Sequence, residues 1–131
     1  MPLIRISLSE SYEPSVAQTV AEGVHNAMVE TIDVPLSDRF ATIRRCGEGE
    51  QIWDRTFLDV ERSNRAIFVE ITLSFGRNDD KKRALYGAIA RNVEAAGIRP
   101  QDILVVLTET ARANWSFGNG VAHYALAATE S

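Results

Sequence analysis

The chain has 131 residues, 45% of them hydrophobic and 24% charged, with a formal net charge of −4. That length suits one compact domain, which can bury roughly two-thirds of its unfolded surface without a disulfide or a structural metal. The charge forms no basic block for nucleic acid, the single cysteine (Cys46) excludes an intrachain disulfide, and no apolar run approaches a membrane span. With no leader or lipidation pattern, the cytoplasm is the expected compartment, and neither membrane nor nucleic acid is an expected partner.

The first residues carry the first chemical signal. Pro2 follows an initiator methionine of the kind that cells trim. Trimming would leave a secondary amine, and a free α-amino group titrates at roughly 7.7–8.0. Such a nitrogen serves as general base, general acid or carbonyl-attacking amine. Many chains begin Met-Pro without consequence, so Pro2 gains weight only from the residues after it. Leu3-Ile4-Arg5-Ile6-Ser7-Leu8 alternates as a strand, which starts the chain inside the fold. Val16, Val20, Val24, Met28 and Ile32 then recur every four residues as the apolar stripe of a helix, with Pro14 in its first turn. Val34-Pro35-Leu36-Ser37-Asp38 makes a connection, and Phe40-Ala41-Thr42-Ile43 reads as a second strand.

Gly47-Glu48-Gly49-Glu50 reads as a turn and Arg62-Ser63-Asn64-Arg65 as another, with a hairpin or an irregular excursion between them. Val69-Glu70-Ile71-Thr72-Leu73-Ser74 repeats the pattern of Ile4 to Ser9. Leu85, Ile89, Val93 and Ala96 form a second helical stripe, with Asn78 as N-cap, Asp79 and Asp80 in the first turn and Gly97 just past the end. Ile98 to Asp102 repeats the first connection, and Ile103 to Leu107 is a strand. The expected fold is therefore α+β: tandem β-α-β units with parallel crossovers, sharing one sheet with both helices on one face. The repeats cover approximately 2–45 and 66–109 of a single domain, followed by a C-terminal loop, 110–131. Ile67 takes the place of Pro2 in the second copy, so a proline amine can occur once per chain.

Several residues are candidates for chemistry, each with a structural alternative. Arg77, where strand passes to helix, would grip a carboxylate through two parallel hydrogen bonds, or else is a surface arginine paired with Asp79 or Asp80. Asp38 would orient a water or the amine, or else caps its turn; Asp102 at the equivalent place favours the structural role. Trp115 and Phe117, in Asn114-Trp115-Ser116-Phe117-Gly118, would wall a small dry pocket, or else pack on the core or a neighbouring subunit. His25 and His123 lack metal-ligand spacing and read as structural or surface histidines.

Taken together, Pro2, the tandem halves, Asp38, Gly76-Arg77 and Trp115-Ser116-Phe117-Gly118 resemble the tautomerase superfamily, in its long-chain branch typified by malonate semialdehyde decarboxylase. Asn26-Ala27-Met28-Val29 and Val34-Pro35-x-x-Asp38-Arg39 are similar to that branch as well. The resemblance implies a homotrimer, catalysis by the N-terminal proline, a carboxylate-binding arginine matching Arg77, assistance from Asp38, and a pocket lined by Trp115 and Phe117. It implies no metal and no organic cofactor. That branch carries two arginines separated by one residue at the strand-to-helix junction, whereas this chain has Leu73-Ser74-Phe75 before Gly76-Arg77, leaving Arg39 or a neighbouring chain's arginine to substitute. The leading expectation is an isomerase that moves a proton on a small 2-oxo acid, enol or unsaturated carboxylate. The alternatives are a decarboxylase or hydratase-like lyase and a non-catalytic oligomeric binding protein of the same fold.

Overall fold

The computed structural model describes residues 2–124; the expected C-terminal loop is thus described only to Tyr124, and 125–131, like Met1, lie outside the described residues. Four strands form one sheet in the order β2-β1-β3-β4. Strand β1 (Leu3–Ser9) buries Ile4, Ile6 and Leu8 and exposes Arg5 between them. Helix α1 (Pro14–Ile32) has Pro14 in its first turn, where a missing N–H costs nothing, and ends at Asp33 in the left-handed region (φ 58°). Its buried side chains Val20, Val24, Ala27, Met28 and Ile32 lie on one stripe against the sheet. Strand β2 (Ala41–Cys46) returns parallel to β1.

The second unit repeats the first. Strand β3 (Ile67–Ser74), helix α2 (Asp79–Ala95) and strand β4 (Ile103–Thr110) again give a parallel pair joined by a helix. Asn78 caps α2 by accepting a hydrogen bond from the Lys81 N–H at 2.9 Å. Gly97, at φ +88°, takes the left-handed position after the helix, which residues with a Cβ resist. The core lies between the sheet and both helices, with Ile4, Ile6, Val69 and Ile71 meeting Val20, Val24, Leu85 and Ile89. The helices approach closely at Gly23, where a Cβ would stand 3.2 Å from that of Asn92, and Asn92 Nδ2 donates to the Gly23 carbonyl at 2.9 Å. The opposite face of the sheet presents Arg5, Glu70, Leu104 and Val106 outward.

The two units join through an antiparallel β1–β3 pairing, in which Arg5 stands opposite Glu70. Two sequence expectations change in detail. The second strand runs from Ala41 to Cys46 rather than over Phe40–Ile43; Phe40 instead offers its carbonyl to Ile4 N at 3.0 Å, just before the strand begins. The segment between the units is an irregular excursion and not a hairpin. It contains a 3-10 turn at Phe57–Asp59, with Leu58 and Asp59 both at positive φ. Arg62 Nη1 steadies that turn by donating to the carbonyls of Phe57 (3.2 Å) and Val60 (3.1 Å). No helix among the described residues is long and apolar enough to cross a membrane.

Candidate active site

The antiparallel register decides what surrounds Pro2. Leu3 pairs with Thr72, so Pro2, one step earlier, stands beside the end of β3 at Leu73 and Ser74. On its other side β1 pairs with β2 in parallel, Ile4 opposite Ala41, which brings the 38–40 segment alongside. Pro2 is buried between these neighbours. The start of β1 and the ends of β3 and β4 therefore meet at one end of the sheet.

Three further groups are fixed there. Arg77 folds back on its own strand end, its Nη1 donating to the Ser74 carbonyl at 2.9 Å and lying 3.4 Å from Ser74 Oγ. Gly76, at φ +134°, gives the backbone a reversal that a side chain would strain. The surface alternative for Arg77 named Asp79 and Asp80, but Asp80 pairs with Arg83 at 3.0 Å. Trp115 Nε1 donates to Thr110 Oγ1 at 2.8 Å, and Thr110 Oγ1 in turn donates to the Leu73 carbonyl at 3.2 Å. The indole is thereby tied to the same strand end as Arg77. Phe117 stacks on Trp115 (5.7 Å between centroids, 9° between planes) and lies 5.9 Å from Phe40. His123 and Tyr124 meet the Phe117 ring edge-on, and the Phe117 N–H donates to His123 Nδ1 at 3.2 Å.

Asp38 closes the turn of the first connection, its N–H donating to the Pro35 carbonyl at 3.0 Å, two positions before Phe40. His25 holds that connection from below. It is buried on α1, and its Nε2 is 2.9 Å from the Leu36 carbonyl. Arg39 does not join the group, because its guanidinium is turned to Glu22 on α1 at 4.0 Å, with both side chains more than half exposed. The structure thus brings together Pro2, Arg77, Trp115 and Phe117, sets Asp38 at the edge and sends Arg39 outward. Sequence reading misses Ser74, Thr110 and Phe40. A small polar residue ending each of two adjacent parallel strands is the available signal for the first two.

The arrangement offers one cation oriented by its own strand end, a stacked aromatic pair tied to that end, and the buried Pro2 beside it. Such a set can hold a small anion and stabilise charge that develops on its oxygen.

The chain is similar to known proteins over most of its length. A family model described as a tautomerase enzyme matches residues 38–118. Probable tautomerase YusQ of Bacillus subtilis (strain 168) is 34% identical over 121 residues, covering 92% of this chain and 95% of that protein. The crystal structure of FG41 malonate semialdehyde decarboxylase inhibited by 3-bromopropiolate is similar with a TM-score of 0.91 at 28% identity, covering 96% of each chain. A fused 4-OT solved as a symmetric trimer shares the fold, with a TM-score of 0.78 at 22% identity, covering 95% of this chain and 98% of that one.

Proposed function

The chain belongs to the tautomerase superfamily, on its malonate semialdehyde decarboxylase-like branch, and we propose that it is a cofactor-independent isomerase working through Pro2 as a free N-terminal amine once Met1 is removed. The substrate is a small 2-oxo acid, its enol, or an unsaturated carboxylate. Arg77 holds the carboxylate or the carbonyl oxygen through its fork. Neutral Pro2 takes a proton from one carbon or from the enol oxygen and returns it to another carbon, giving the keto isomer with no net gain or loss of atoms. The oxygen that gains charge during the transfer is stabilised by Arg77, while Trp115 and Phe117 keep water away. Asp38 assists from the edge by orienting the amine or a water. The observation that carries this reading is the convergence of Pro2, the Ser74–Arg77 junction and the Trp115–Phe117 stack at one end of the sheet. We take the chain as a single cytoplasmic domain that assembles as a homotrimer; the symmetric trimer of the fused 4-OT and the uncovered sheet face with Leu104 and Val106 support the assembly.

The test is ketonisation of phenylenolpyruvate by Met1-free protein, checked by intact mass. Pro2→Ala should lower kcat by about 10²–10⁴-fold, the range expected for a positioned acid–base group, while the oligomer stays intact. A fully active variant would sink the proline mechanism, and Met1-free wild-type protein with no turnover would leave the non-catalytic binding protein.

A second reading is favoured by the likeness to malonate semialdehyde decarboxylase. In it Pro2 is protonated and, with Arg77, polarises the aldehyde of malonate semialdehyde; carbon dioxide leaves and the carbanion equivalent takes up a proton. A Pro2 pKa below the ordinary amine range supports the isomerase, and one above it supports the lyase. Titration of the labelled N-terminus by NMR, alongside a decarboxylation assay, separates them.

A further inference from the structure

The two units are related by a pseudo-twofold axis, and the β1–β3 register locates it. Ile4 corresponds to Val69 and Arg5 to Glu70 in the repeat, and Arg5 and Glu70 are also direct antiparallel partners. The axis therefore passes between them, and the sheet has two equivalent ends. Under this symmetry Pro2 falls on Ile67, Ser74 on Ser9, and Arg77 on Tyr12. The far end of the sheet is the counterpart of the end that holds Pro2.

That far end contains a cavity of about 510 Å³, lined by Ser9, Glu10, Ser11, Glu48, Asn64 and Arg65 among others. A guanidinium is present here too, although the repeat puts Tyr12 where Arg77 would be. Arg65 is delivered from the start of β3, and its guanidinium lies over the Tyr12 ring, 3.7 Å from the centroid. The Tyr12 hydroxyl fastens the same residue by donating to the Arg65 carbonyl at 2.6 Å. Arg45 Nη2 fixes the opposite wall, donating to the carbonyls of Glu10 (2.6 Å) and Tyr12 (2.8 Å). Arg65 Nε is buried and donates to no acceptor among the described residues, and no carboxylate among them forms an ion pair with this side chain. By contrast, Asp102, the counterpart of Asp38, is fully engaged: Ser63 N and Oγ each donate to it at 2.7 Å. The place of the amine is filled by Ala66-Ile67, buried within a continuous chain, so this end can bind and cannot run the Pro2 chemistry.

The charges around the cavity select the ligand. Among the lining residues Arg65 is the one cation and Glu10 and Glu48 are the two carboxylates, both on exposed turns, while the Arg45 guanidinium is spent on the Glu10 and Tyr12 carbonyls. A simple anion is repelled by the pair and a simple cation by the arginine, so a molecule bearing both charges fits best. We propose that the far end of the sheet is a second binding site, for a small zwitterion of the α-amino acid type. Its carboxylate lies on Arg65 and its ammonium between Glu10 and Glu48, with Ser9, Ser11 and Asn64 as neutral hydrogen-bonding partners.

The test is a titration of the full-length protein with a panel of L-α-amino acids, L-alanine and L-glutamine included. Propionate and ethylamine serve as single-charge controls, and binding is read from amide shifts in two-dimensional NMR. At least one amino acid should move the amides of Ser9–Ser11, Gly47–Gly49 and Asn64 and leave those of Ser74–Arg77 and Trp115 in place. Arg65→Gln should weaken that binding by about ten- to a hundredfold. Glu10→Gln with Glu48→Gln, both on exposed turns and harmless to the fold, should weaken the amino acid and strengthen propionate; this pair decides the matter if the Arg65 variant does not fold. Shifts confined to the Arg77 end, no shift with any amino acid, or controls that bind as tightly as the amino acids would each overturn the proposal.

Discussion

Arg77 shows how the end of a strand can orient one side chain. Its Nη1 is held by the Ser74 carbonyl, so the guanidinium is oriented before any ligand arrives, and less entropy is lost on binding. Arg77→Ala should therefore lower kcat/KM for an enol substrate by about 10²-fold or more, and Arg77→Lys should recover only part of it, because an ammonium lacks the planar fork. Steady-state kinetics with unchanged circular dichroism checks this. Tyr12 carries a different kind of prediction. Burial raises its pKa above the ordinary 10.0, with Arg65 opposing and Asp102 adding a smaller upward push. The folded state therefore holds the phenolic proton more tightly than the unfolded chain does. Its contribution is complete below pH 10.0 and is lost as pH rises through the folded value. The urea midpoint should fall above that pH, and Tyr12→Phe should flatten the fall. Arg77, Trp115 and Phe117 are legible as candidates in the sequence because glycines and aromatics cluster around them. The Arg65–Tyr12 contact is not, since the two residues are 53 positions apart and meet only through the antiparallel pairing of β1 with β3.

At the level of elements, the periodic segments can be read from sequence and the aperiodic ones cannot. Helix α1 begins at Pro14, and helix α2 begins after Asn78 and ends short of Gly97, as those residues signal; Asn78 gives the clearest case. Asn78→Ala removes the acceptor for Lys81 N and should cost about 1 kcal/mol in urea unfolding, with activity retained. A charge contact secures α2 to β4: Lys82 Nζ lies 2.8 Å from Glu109 Oε1, with both side chains about a quarter exposed. The hydrogen bond to Glu109 raises the Lys82 pKa above 10.5, so on the alkaline side this contact is complete below 10.5 and is lost as pH climbs through the raised value. The far end of strand β2 is not legible in the sequence because Ala41 to Arg45 are all exposed, so no alternation of apolar and polar residues marks it. The excursion between Gln51 and Arg65 escapes sequence reading for a related reason. Its turn depends on Arg62 reaching back to carbonyls, and on positive φ at Leu58 and Asp59, residue types that do not announce it.

For the whole molecule, the uncovered sheet face is the feature most in need of a partner. Leu104 and Val106 stand 46% and 44% exposed in mid-strand on β4, where an apolar pair is expected to be covered. Val106→Lys should shift the assembled protein toward monomer, as measured by native mass spectrometry, while the helices and core remain. The pairing of Arg5 with Glu70 sets the two β-α-β units about one pseudo-twofold axis, and residues 47–66 keep them on one continuous backbone. Continuity makes the two halves chemically unequal. On the proposed mechanism only the first can present a free amine, because Ile67 holds the matching place inside an unbroken chain. The end of the sheet beside Ile67 is thereby released from proton transfer, and its side chains are free to be tuned to another ligand.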